Sequence, residues 1–171
     1  MSHDESAPVR TVHRMPNFEA VVYVSSATGH LSQADLEALL TSARERNIEH
    51  AVTGVLLFHD GTFLQYFEGP PEGVAVVYDH IRRARQHHGI IELMHAGIEE
   101  RAFPDWTMGF THAPASELLR LSSAAWQSSL ERVAGDEDKN DGLSLLLHFW
   151  RANRGHPGRV APRETGADDK A

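Results

Sequence analysis

Gln65 is the side chain whose position first raises a chemical question. It lies in Phe63-Leu64-Gln65-Tyr66-Phe67-Glu68-Gly69, where strand alternation puts Phe63, Gln65 and Phe67 on one face and Leu64 and Tyr66 on the other. Both faces are then largely apolar, as in a sheet covered on both sides. An amide between two phenylalanines costs stability unless it is bonded. Either a neighbouring backbone group satisfies Gln65 or a bound ligand does, since the amide offers both a donor and an acceptor.

Other chemistries are weakly signalled. The 171-residue chain has twelve histidines but no HExxH pair, and the side chains of His87 and His88 diverge on a helix or a strand, so no metal is expected. There is no cysteine, which excludes disulfides, zinc–thiolate sites and a cysteine nucleophile and suits a reducing cytoplasm. No Gly-rich phosphate loop joins a basic catalytic residue, and no nucleophile has a base placed by spacing, so an enzyme is not expected. The net charge is −8, with basic residues scattered except for Arg82, Arg83 and Arg85, which argues against direct nucleic-acid binding. The N-terminus lacks an apolar signal core and no run approaches a membrane span, so a cytoplasmic protein without membrane contact is expected.

Several elements must position Gln65. Ala20-Val21-Val22-Tyr23-Val24-Ser25 is a short β-branched and aromatic strand with Val21, Tyr23 and Ser25 on one face. Ser32 can cap a helix with Asp35 at N3, Leu31 can staple to Leu36, and Leu36, Leu39, Leu40 and Ala43 form its apolar stripe to about Arg46. Val52 to Phe58 reads as a buried strand joined to the Gln65 strand by an Asp60-Gly61 hairpin. Val74, Val77, Tyr78 and Ile81 mark a second amphipathic helix ending near Gln86, and Ile90 to Ile98 and Trp106 to Phe110 read as two further strands. The order βαββαββ, with two helices on one face of a mixed sheet, is an α+β ferredoxin-like sandwich.

The second sheet face, including Leu64 and Tyr66, then needs cover. Leu118, Leu119, Leu121, Trp126 and Leu130 on one or two short helices, and a further helix from Leu143 to Trp150 after the acidic break at Gly135-Asp136-Glu137-Asp138, are expected to provide it. The expected organisation is a flexible leader over 1–16, a core domain over 17–112, a helical extension over 113–152 and a disordered tail over 153–171.

Taken singly, Tyr23 reads as a core tyrosine with a bonded hydroxyl, Asn47 as a helix C-terminal residue, and Trp106 and Met108 as core filler. Taken together, the residues closely resemble a BLUF domain, the blue-light sensor using FAD. The resemblance is carried by Tyr23-Val24-Ser25, the helix ending in Arg46-Asn47, and Val52-Thr53-Gly54-Val55-Leu56-Leu57. Phe63 to Gly69 and Arg101-Ala102-Phe103-Pro104-Asp105-Trp106-Thr107-Met108 complete it, and the whole covers roughly residues 18 to 112.

The resemblance implies non-covalent FAD, its isoalloxazine ring inserted between the two helices and flanked by Leu39 and Ile81. It implies a Tyr23–Gln65 hydrogen-bonded pair beside the flavin N5 and C4=O, with Asn47 on the C4=O and N3 edge and His80 facing the C2=O. Ser25, Thr53 and His87 join the implied cofactor-binding set. Trp106 and Met108, taken to share one face of the last strand, would compete for the place next to Gln65. Light would rearrange the Tyr–Gln–flavin network, an excited flavin oxidising the nearby phenol and the glutamine settling rotated or tautomerised.

The chain departs from the family pattern at Ala84-Arg85-Gln86-His87, where Asp-x-Arg-His is usual, and at Arg46, where asparagine or histidine is frequent. Arg83 or Arg85 are candidates to compensate. Two functions are therefore expected. The first is a short BLUF photoreceptor that signals to a protein effector, with homo-oligomerisation left open. The alternative is a BLUF-derived interaction module that has lost flavin.

Overall fold

The computed structural model describes residues 15–127 and 141–153. The proposed leader, apart from its last two residues, Leu130, the acidic break and the tail after Asn153 lie outside them.

The first strand, β1 (Phe18–Ala27), is followed by helix α1 (Gln33–Glu49). Ser32 caps α1 through a reciprocal box: its hydroxyl accepts from the Asp35 N–H while the Asp35 carboxylate accepts from the Ser32 N–H. Strands β2 (Thr53–His59) and β3 (Thr62–Gly69) form a hairpin whose turn residues Asp60 and Gly61 have φ of 41° and 79°, the double left-handed geometry of a type I′ turn. Helix α2 (Pro71–Arg83) starts on proline, which loses no needed N–H there, and leads into β4 (His87–Ile98) and β5 (Gly109–His112).

The sheet order is β4-β1-β3-β2-β5. All neighbours are antiparallel except β2 and β5, which run parallel. This is the expected mixed sheet, and its register sets Gln65 opposite Tyr23 on one side and Leu56 on the other. One sheet face meets α1 and α2. There Val21, Tyr23 and Phe67 pack with Val74, Val77, Tyr78 and Ile81, while Leu56, Phe58 and Phe63 pack with Leu36 and Leu40. The two helices approach closely where α1 ends: a Cβ on Gly73 would stand 2.2 Å from the His50 carbonyl oxygen. Only glycine permits that approach.

The opposite face, as expected, is covered by helices α3 (Ala115–Ser122) and α4 (Gly142–Asn153). Leu64, Tyr66, Val22 and Val55 pack there with Leu118, Leu121, Leu146, Phe149 and Trp150. Two details differ. Leu119 is 69% exposed, because adjacent residues diverge on a helix and Leu118 and Leu121 hold the buried side. Trp126 lies beyond α3, and its indole N–H donates to the Leu121 carbonyl at 3.0 Å, satisfying one carbonyl of the helix end.

Four boundaries also differ. α1 runs to Glu49. α2 stops at Arg83 because Ala84 is extended with ψ of 136°, and β4 therefore begins at His87. Residues 106–108 are not strand. Their carbonyls are taken by the Gly54 N–H (2.7 Å, from Trp106 O), the Asn47 amide (2.7 Å, from Thr107 O) and the Arg44 Nε (3.0 Å, from Met108 O), so no ladder forms before Gly109.

Candidate functional site

A cleft of about 690 Å³, counting its open mouth, lies between α1 and α2 above the centre of the sheet. Leu39, Leu56, Phe63, Val77 and Ile81 give it apolar walls; Tyr23, Asn47, Gln65 and Met108 also line it.

At its floor the Tyr23 hydroxyl donates to the Gln65 Oε1, and the Gln65 Nε2 points at the Met108 sulfur at 3.6 Å. Strand parity brings the first pair together across β1 and β3. Burial, with Tyr78 as a smaller contributor, pushes the Tyr23 phenol far above its ordinary value, so it stays a protonated donor. The amide is thus held by a phenol on one side and by a soft, weak acceptor on the other. Its N–H side has room for a better partner.

Asn47, at the C-terminal end of α1, is buried and gives one N–H to the Thr107 carbonyl. Its amide oxygen takes no partner among the described residues. His87 Nε2 must donate to the Ile81 carbonyl (2.9 Å), since a carbonyl only accepts; in the neutral ring Nδ1 then accepts from the Ser25 hydroxyl at 2.8 Å. Burial holds the ring below the usual imidazole range, which favours that neutral form. Ser25 touches the site through His87 and does not line the cleft.

His80 lines the mouth, held below its usual range by desolvation and by the positive Arg46. Tyr78 stacks on Tyr23 with ring centroids 6.4 Å apart and gives its hydroxyl to Glu92 at 2.6 Å.

Two expectations are corrected. Thr53 sits on the other sheet face, as its parity with Val55 and Leu57 requires, and its hydroxyl meets Arg101 Nη1 at 2.9 Å and the Glu68 carboxylate at 3.4 Å. Trp106 and Met108 do not share a face. Met108 packs with Leu36, Leu40 and Phe63 beside Gln65, whereas Trp106 packs edge-on against Trp150, centroids 5.0 Å apart. Alternation fails because the chain is not extended there.

Glu68 was missed. It is fully buried, and its carboxylate accepts from the N–H groups of Ala102 (2.8 Å) and Phe103 (2.6 Å) and from the Tyr66 hydroxyl (2.8 Å). Desolvation still raises its pKa above the usual carboxylate value. A polar residue next to Gly69 reads as the end of a strand; the available signal was its shared parity with buried Tyr66 and the later Arg101.

The set fits a flavin. Apolar walls on two facing helices suit a flat ring system, and buried amides at Gln65 and Asn47 with spare hydrogen-bonding capacity suit its polar edge. Residues 18–109 match the profile of the family described as "Sensors of blue-light using FAD". The chain is 37% identical over 115 residues to the photoactivated adenylate cyclase subunit beta of Euglena longa, a match covering 67% of this chain and 13% of that one. It is 39% identical over 59 residues to the blue light- and temperature-regulated antirepressor BluF of Escherichia coli (strain K12), covering 34% and 15%. The matches therefore span a small part of these relatives. Among solved structures, the dark state of the BLUF protein BlrB superposes with a TM-score of 0.62 at 25% identity, covering 82% of this chain and 100% of that one. The chain belongs to the BLUF family, the sensors of blue light that use FAD.

Proposed function

We propose that this chain is a light-driven switch whose moving part is the Gln65 amide and whose output is a protein contact. FAD, when bound, supplies blue-light absorption and a strongly oxidising excited state. Tyr23 is the oxidisable phenol. With the flavin bound, its electron would be taken up by that group and its hydroxyl proton would leave along the bond to Gln65 Oε1, both returning to the phenol. Gln65 then settles with its donor and acceptor ends redistributed. Asn47 and His80 hold the ligand's polar edge, and Leu39 and Ile81 hold its faces.

The change in Gln65 reaches Met108, and residues 106–108 pass it across the sheet edge to Trp106 and α4. An effector protein reads the altered helical face, and no catalytic step on this chain is needed. The observation that carries the reading is the Gln65 amide poised between the Tyr23 hydroxyl and the Met108 sulfur at the cleft floor.

The visible spectrum of the purified protein tests it. The flavin bands should shift reversibly to the red under blue light, and Tyr23→Phe and Gln65→Leu should each abolish the shift while flavin stays bound. Normal cycling of either variant would overturn the mechanism.

A further inference from the structure

The floor of the cleft is neutral, and its charge is confined to the mouth. Among the lining residues no aspartate or glutamate occurs, and Arg46 is the one with a fixed charge. His87 has both ring nitrogens engaged, so it offers no free donor to a ligand.

Arg46 stands on the last turns of α1, with Nη2 on the Ser42 hydroxyl one turn back at 3.3 Å. Arg82, Arg83 and Arg120 each pair with a carboxylate; among the described residues Arg46 pairs with none. It is partly buried, and its charge is felt by His80 on the facing helix. Water still reaches Arg46, so its charge needs no counter-ion to persist, but an anionic group entering the mouth would meet a guanidinium with no carboxylate beside it among the described residues.

The two arginines suggested by sequence do not serve. Arg83 pairs with Asp79 at 3.3 Å with its side chain 78% exposed, and neither Arg83 nor Arg85 lines the cleft. Uncharged Ala84 and Gln86 line it in their place.

We infer that Arg46 is the residue by which this cleft selects a phosphorylated flavin, FMN or FAD, over uncharged riboflavin. The inference rests on the flavin-binding reading above. The neutral floor suits the ring system that all three ligands share. A phosphate is the part they do not share, and it is what a lone guanidinium at the mouth recognises. The residue that looked like a departure from the family pattern thus supplies the cation that Gln86 does not.

The test titrates riboflavin, FMN and FAD into the flavin-free full chain and follows flavin fluorescence, in wild type, Arg46→Ala and Arg46→Lys. Arg46→Ala should weaken FMN and FAD by about tenfold, the scale of one charge-assisted hydrogen bond. Riboflavin should keep its affinity, which also shows that the variant is folded. Arg46→Lys should recover part of the loss, and added salt should weaken FMN binding to wild type more than to Arg46→Ala. An equal loss for all three ligands would assign Arg46 to ring packing and overturn the inference, as would no loss for any. Wild type that binds none of the three would overturn the flavin reading itself, and this inference with it.

Discussion

Trp106 and Met108 are two residues apart and lie on opposite sides of the sheet. Met108 reaches the Gln65 amide at 3.6 Å and Trp106 packs edge-on against Trp150 of α4. The segment between them is held by α1 through Asn47 and Arg44 and by β2 through Gly54. A change at the amide therefore has a short covalent path to the helices on the other face. Substitutions at the two ends should separate reception from output. Met108→Leu, close in volume, should keep the flavin shift but alter its dark recovery, because the soft acceptor on Gln65 is gone. Trp106→Ala should leave the flavin shift intact and abolish light-dependent change in the protease sensitivity of the C-terminal helices. Loss of the optical shift in Trp106→Ala would place that tryptophan in the receptor and not in the output.

Glu68 ties the loop over 101–103, just before that segment, to the switch strand three residues beyond Gln65. Its carboxylate holds two backbone N–H groups and the Tyr66 hydroxyl in a fully buried setting, and Arg101 adds bonds to the Ala51 carbonyl (2.6 Å) and the Thr53 hydroxyl (2.9 Å). Glu68→Gln puts an NH₂ group against donors, and should cost about 2–4 kcal/mol by leaving buried groups unpaired. A denaturation midpoint in urea measures this. An unchanged midpoint would mean that the loop over 101–103 is held by other contacts.

How much of this was legible in the sequence follows from where periodicity applies. Leu36, Leu39 and Leu40, or Val74, Val77 and Ile81, repeat at helical spacing, and Asp60-Gly61 has one common use, so the α1 and α2 faces and the β2–β3 register could be read directly. Parity alone puts Tyr23 and Gln65 on faces that can meet. Thr53 was carried along with its motif against its own parity with Val55. Trp106 and Met108 were misread because alternation was applied where side chains of α1 replace the strand ladder, and no local pattern reports a partner sixty residues away. The partner of Arg44, the Met108 carbonyl, was hidden for the same reason. The role of Arg46 needed the facing helix.

His87 gives a pH prediction whose sign is fixed by its burial. Burial depresses its folded pKa below the ordinary imidazole value of 6.5, with the Ile81 carbonyl opposing and His88 adding to the depression. Above 6.5 the neutral ring is present in both folded and unfolded chains, and the stabilising Ser25 bond to Nδ1 is intact. As pH falls through 6.5 and then through the lower folded pKa, the unfolded chain takes up the proton first, so stability is lost. Protonation of Nδ1 also reverses its bond to Ser25, whose hydroxyl oxygen must then accept. Melting temperature followed downward from neutral pH should therefore decline, and His87→Gln should flatten the decline. His80 is depressed too, but it is largely exposed and lacks such bonds, so His80→Gln should flatten it less. Equal flattening by both would show that the general loss of imidazole hydration, and not the Ser25–His87–Ile81 bridge, sets the acid sensitivity.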